Sequence, residues 1–166
     1  IMTIQEKIID AAQLAESYRD ETRQMVGEIP GAVRLAGVIT GDSGPSHTYA
    51  GYTQKACEAV GIEYELQKVG KLEVEAKIRE LNEDTRYCGI MVYYPIFGTG
   101  QDDYLKDQVA IKKDVEGLNV FWRQKLYDNA RRFEFAAAAY KAVLPCTPLV
   151  IVKVIESTHH FQSGNQ

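Results

Sequence analysis

The residues able to do chemistry lie in three short runs of the second half of the chain, with a fourth run upstream. GIMVYYP spans 89–95, KDVEGLN 113–119 and LPCTP 144–148, while Ser46 and Tyr49 stand three residues apart. KDVEGLN offers an ammonium at Lys113, carboxylates at Asp114 and Glu116, and a glycine at 117 that lets the backbone turn sharply. Taken singly, each run has an ordinary reading. KDVEG is most often a solvated turn, GIMVYYP a buried strand, and LPCTP a helix start with one buried cysteine. Asp114 then caps or pairs with a nearby backbone N–H, and Tyr49 is a core tyrosine on a helix face. Cys146 has no histidine close in sequence, so nucleophilic chemistry is not expected of it. His47, His159 and His160 show no ligand spacing with acids or cysteines, and no metal is expected.

The elements that must position these runs follow from periodicity. Residues 3–26 read as one amphipathic helix with Ile4, Ile8, Ala11, Ala12, Ala15 and Met25 on one face, broken by Gly27 and Pro30. VRLAGVIT (33–40) is a branched apolar run, a buried strand, and GDSGPS (41–46) a loop of turn formers. From Thr48 to Val60 the spacing is helical, with Tyr49, Tyr52, Ala56, Ala59 and Val60 on one side and Gly61 as a stop. IEYELQKV (62–69) alternates with period two, a half-covered strand. Residues 72–82 read as a helix with Leu72, Ala76, Ile78 and Leu81 toward the core. CGIMVYYPI (88–96) is a third strand ended by Pro95. The segment 100–108 suits a helix, and 148–157 a helix opened by Pro148. FEFAAAAY (133–140) reads as a short helix, a buried turn or an engineered surface patch at Ala136–Ala139, and the sequence leaves these open. This alternation is the grammar of an α/β domain, a parallel sheet flanked by helices in a Rossmann-like three-layer arrangement. In such sheets ligands bind beyond the carboxyl ends of the strands. That places weight on loops 41–48 and 94–100.

With 166 residues the chain is one domain long. Its 45% hydrophobic and 25% charged residues suit a globular protein. A net charge of −4 gives no electrostatic reason to expect nucleic acid or an anionic membrane as a partner. No apolar run reaches the roughly 18–20 residues that span a bilayer. The three cysteines are far apart, which points to a reducing, cytoplasmic setting.

In combination, the runs resemble the methylenetetrahydrofolate dehydrogenase/cyclohydrolase family. The resemblance covers nearly the whole chain and includes Ser46 with Tyr49, LNED at 81–84, GIMVYYP, KDVEGLN and LPCTP. It implies an α/β catalytic domain over 1–158 and, over 159–166, the start of a linker to an NAD-binding Rossmann domain that this chain lacks. It implies tetrahydrofolate as the substrate of one-carbon metabolism, NAD as cofactor with its site mostly in that second domain, and a homodimer. The implied substrate-binding residues are Ser46, Tyr49, Val92, Tyr93, Tyr94, Pro95 and Glu116. Cys146 and Thr147 fall near the nicotinamide. Bifunctional members carry a catalytic lysine four residues after the tyrosine. Here that position is Thr53, with the register fixed by Lys55 through Gly61. On a helix Lys55 points about 200° away from Thr53. The family's strand carries a glutamine where this chain has Tyr93, and its pterin-holding aspartate is Glu116 here.

These departures resemble the monofunctional NAD-dependent branch. Oxidation of the one-carbon bridge is pushed by flanking nitrogen lone pairs and needs alignment more than a base. Opening the bridge with water needs a group that manages protons, and a threonine hydroxyl is not one near neutral pH. The expectation is a dehydrogenase without cyclohydrolase, with Tyr49 and Thr53 at the reacting end. Neither GDSG (41–44) nor GTGQDD (98–103) has dinucleotide-fingerprint spacing. The chain alone is therefore expected to bind NAD weakly or not at all and to show no detectable turnover. The competing readings are a bifunctional dehydrogenase/cyclohydrolase with another proton-handling group, and a non-catalytic folate-binding or dimerising domain.

Overall fold

The computed structural model describes residues 11–42, 44–130, 132–135 and 138–157. Three parallel strands form the sheet: β1 (Arg34–Thr40) in the centre, β2 (Glu63–Val69) on one side and β3 (Gly89–Val92) on the other. Ala36 sits between Glu65 and Ile90, and Val38 between Gln67 and Val92. The branched run of β1 suits its position, because a central parallel strand is covered on both faces. The crossovers are α2 (Pro45–Val60) and α3 (Val74–Glu83), the latter entered through a 3-10 turn at Lys71–Glu73.

Alternation along the strands divides the interior in two. On one face Ala36, Val38, Ile90 and Val92 pack with Val74, Ile78 and Leu81 of α3 and Leu105 of α4 (Gly100–Gln108). On the other Ile39, Met91 and Tyr93 pack with Ala50 of α2, flanked by Leu35 and Tyr64. Helices on both faces of the sheet make the three expected layers.

Several expected core positions move. α1 (Ala11–Glu28) runs through Gly27 rather than breaking there. Its half-buried stripe is Leu14, Ala15, Thr22 and Val26, whereas Ala12 and Met25 are exposed; Ile4 and Ile8 lie outside the described residues. α2 begins at Pro45, three residues earlier than expected, and buries Ala50, Cys57 and Val60 while Tyr52 and Ala59 face outward. Gly61 closes it in the left-handed region, as its sequence position suggests. In α3 the 3-10 entry shifts the helical phase. Val74 is therefore buried and Leu72 and Ala76 are exposed. β2 is an edge strand whose half-buried residues are Tyr64, Gln67 and Val69, with Leu66 turned outward.

The second half adds elements that periodicity did not reveal. α5 (Val120–Tyr127) follows KDVEGLN, and Asn119 caps it by accepting a hydrogen bond from the Phe121 N–H at 2.9 Å. Where it is described, the alanine-rich run is strand rather than helix. It contributes β4 (Arg132–Phe135) and β5 (Ala138–Lys141), an antiparallel pair in which Phe133 lies opposite Tyr140. α6 (Cys146–Ser157) opens two residues before Pro148, at the cysteine of LPCTP.

Candidate functional site

The loop that carries Glu116 is built on one buried carboxylate. Asp114, 6% exposed, accepts from the backbone N–H groups of Glu116 (3.0 Å), Gly117 (2.9 Å) and Asn119 (2.8 Å). Its backbone also bridges to Ile90 of β3 in parallel register. Lys113 donates to the carbonyls of Leu81 and Asp84 at 2.7 Å each, closing the end of α3. Asn82 ties the same helix to the chain after α4, donating to the Gln108 carbonyl at 2.8 Å and accepting from the Ala110 N–H at 2.9 Å. LNED and KDVEGLN are thus one strut system, whose effect is to hold Glu116 beside the carboxyl end of β3.

Gly117 joins this loop to LPCTP. It has φ +66°, and a Cβ there would sit 3.0 Å from the Val143 carbonyl and 3.4 Å from the Pro145 nitrogen. Only glycine satisfies both the left-handed backbone and this backbone-to-backbone approach. The contact delivers Cys146, at the start of α6, to Tyr49 of α2. Burial pushes the Tyr49 phenol above its ordinary value, and the neighbouring acidic groups of Cys146, Glu116 and Tyr93 add to the shift. The Tyr49 ring meets Tyr93 edge-on, with centroids 5.9 Å apart and planes at 76°.

The structure therefore brings Tyr49, Tyr93, Glu116 and Cys146 together at the carboxyl end of the sheet. Thr53 stands one turn along α2 from Tyr49, with its hydroxyl donating to the Tyr49 carbonyl at 3.1 Å. It lines an apolar cavity of about 680 Å³ between α1, α2 and α6, with Tyr18, Tyr49, Met91 and Val154 among the walls. Lys55 is exposed and does not line that cavity. Ser46 is half-buried in the first turn of α2. Thr147 is exposed beside Cys146.

Val92 and Tyr94 turn away from this group. Both pack on the α3 side of the sheet, so Val92 offers the site its backbone, whose N–H donates to the Glu116 carboxylate. Tyr94 precedes the cis peptide to Pro95, which is itself exposed. The loop beyond is clamped by Asp102, whose carboxylate accepts from the N–H groups of Ile96 (3.2 Å), Phe97 (2.9 Å) and Gly98 (2.9 Å).

Glu116 is the electrostatically unusual group. Burial first, and the charge of Asp114 second, push its carboxyl up to about 7, against the pull of the Val92 N–H. The first turn of α4 carries Asp102 and Asp103, whose charges disfavour an anion there, whereas that of α2 has no acidic residue.

The tetrahydrofolate dehydrogenase/cyclohydrolase catalytic domain matches residues 9–116. Methylenetetrahydrofolate dehydrogenase (NAD+) of Schizosaccharomyces pombe is 38% identical over 150 residues, covering 90% of this chain and 47% of that protein. The enzyme of the same name from Dictyostelium discoideum is 38% identical over 149 residues, with 90% and 48% covered. The solved NAD-dependent 5,10-methylenetetrahydrofolate dehydrogenase of Saccharomyces cerevisiae superposes with a TM-score of 0.81 at 38% identity, covering 88% of this chain and 48% of that one. The chain spans about half the length of the curated relatives it matches. With the match running from α1 to Glu116, and the sheet and its site loop folded as above, the chain belongs to the tetrahydrofolate dehydrogenase/cyclohydrolase family.

Proposed function

We propose that this chain supplies the folate site of a 5,10-methylenetetrahydrofolate dehydrogenase that yields methenyltetrahydrofolate and lacks cyclohydrolase activity. The observation that carries the reading is the pairing of Tyr49 with Thr53 at the site while Lys55 stays on the outer face of α2. The Tyr49 ring, half exposed at the cleft, is a stacking surface for a pterin. Ionised, Glu116 accepts hydrogen bonds from the pterin amino and ring N–H groups, a charge-assisted pairing. With the ring held at both places, the one-carbon bridge is presented in a fixed orientation, which is what oxidation needs. NAD, when bound, accepts the hydride. We place its site mostly in the part of the relatives beyond the matched half. Cys146 and Thr147 lie at the edge of the cleft where the two parts would meet. A homodimer and a cytosolic setting belong to the same proposal; the latter is supported by three unpaired cysteines.

Water attack on the methenyl bridge finds no amine four residues after Tyr49, where Thr53 stands with its hydroxyl engaged by its own helix. The test uses a form as long as the relatives. Unmodified protein is expected to hydrolyse methenyltetrahydrofolate no faster than buffer, and Thr53→Lys to raise that rate by about 10–100-fold. Strong hydrolysis by the unmodified protein would overturn the assignment.

A further inference from the structure

Tyr64 is absent from every motif above, yet its side chain crosses the sheet. It stands on the edge strand β2, on the face shared by Leu35, Gly37, Met91 and Tyr93. Its hydroxyl lies 2.7 Å from that of Tyr93, beyond the end of β3. β2 and β3 are separated by the whole of β1, roughly two strand spacings or 9–10 Å. Two phenols can meet over that distance only if nothing rises from the strand between them. Gly37 supplies the gap. A Cβ there would fall 2.1 Å from the Tyr64 hydroxyl oxygen and 2.7 Å and 2.9 Å from its ring carbons. Gly37 is buried in the middle of β1, where its lack of a side chain otherwise weakens a strand.

The consequence reaches the cleft. Tyr93 is 5% exposed, and its hydroxyl is turned toward β2. What it presents to Tyr49 is a ring. We propose that Tyr64 is a positioning residue of the folate site: reaching across Gly37, it holds the Tyr93 hydroxyl away from the ligand and sets the Tyr93 ring against Tyr49. Gly37, Tyr64 and Tyr93 then act as one unit. The pocket floor is an aromatic wall in place of a hydrogen-bonding group, and its orientation is determined from the far edge of the sheet. Hydrogen-bonded phenols inside a packed face lose rotational freedom, so the cost of ordering Tyr93 and Tyr49 is met before the ligand arrives.

The inference rests on the folate reading, and the experiment separates the two. The 166-residue chain is titrated calorimetrically with 5-formyltetrahydrofolate as unmodified protein, Tyr64→Phe, Tyr93→Phe, the double variant and Gly37→Ala. Loss of the bond is expected to weaken binding roughly threefold to tenfold in Tyr64→Phe. The double variant should bind no more weakly than Tyr93→Phe, because each change removes the same interaction. Gly37→Ala should match Tyr64→Phe, and if it fails to fold, the phenylalanine variants carry the test alone. In protein labelled with 13C in its tyrosine rings, the two edges of Tyr93 should give separate NMR signals that merge in Tyr64→Phe. A merely structural role for Tyr64 would change stability without that averaging. Equal affinity in unmodified and Tyr64→Phe protein, or additive losses in the double variant, would sink the latch and leave the folate reading standing. No binding by the unmodified chain would sink both.

Discussion

Asp114→Ala is expected to destabilise the protein by about 3–5 kcal/mol, a large share of the stability of a domain this size. The carboxylate accepts three backbone N–H groups from the turn it begins. Alanine leaves those donors with no replacement inside a turn pinned between β3 and α5. The effect is larger than for an ordinary cap, because a cap satisfies one or two donors at a wet helix end. Asp114→Asn retains one acceptor oxygen and is expected to lose about half as much. Urea unfolding monitored by circular dichroism measures both. A loss below about 1 kcal/mol for the alanine variant would show that the loop does not depend on this carboxylate.

Glu116→Gln is expected to move stability and binding in opposite directions. The folded carboxyl titrates near 7, against 4.5 for an ordinary glutamate. Between those values the folded state holds a proton that the unfolded chain has released. The contribution therefore favours the fold fully below pH 4.5 and is lost as pH rises through 7. A neutral amide does not carry the burial penalty. At pH 8, Glu116→Gln should be more stable than the unmodified chain by about 3 kcal/mol, and at pH 4 the two should be alike. Folate binding should show the reverse. If the ionised carboxylate holds the pterin, affinity at pH 6 should be about tenfold below that at pH 8. Glu116→Gln should remove this dependence and weaken binding on the order of 100-fold at pH 8. Unfolding at pH 4 and pH 8, with calorimetric titration of 5-formyltetrahydrofolate at pH 6 and pH 8, supplies the comparison. An affinity that does not change across that range would count against Glu116 as the pterin ligand. A carboxylate kept here at a cost to stability is the behaviour of a group retained for binding.

The chain's local patterns specified a good part of this. The branched apolar run of β1, the buried GIMV of β3 and the glycine stop after α2 are visible because each depends on neighbours in sequence. So is the opposite placement of Thr53 and Lys55, which follows from the pitch of one helix. Helix faces were harder to read. Leu72 looks like a core residue until the 3-10 entry shifts the phase of α3 and buries Val74 instead. Alanine carries helix propensity, yet Ala138 and Ala139 are drawn into an antiparallel strand pair, because pairing partners outweigh intrinsic preference.

Tertiary structure alone decided how the runs meet. KDVEGLN and LPCTP lie a helix and two strands apart in sequence, and they touch because Gly117 admits the Val143 carbonyl. Asn82 and Lys113 are ordinary polar residues in the sequence and become struts when α3 and the site loop converge. Adjacent tyrosines at 93 and 94 look equivalent in the string, but strand alternation sends one to Tyr49 and the other into the opposite core. Tyr64 gave no signal, since its role exists only where a bare Gly37 lies between two strands that are distant along the chain. Periodicity reports on a residue's own element, whereas these contacts depend on which elements the sheet places side by side.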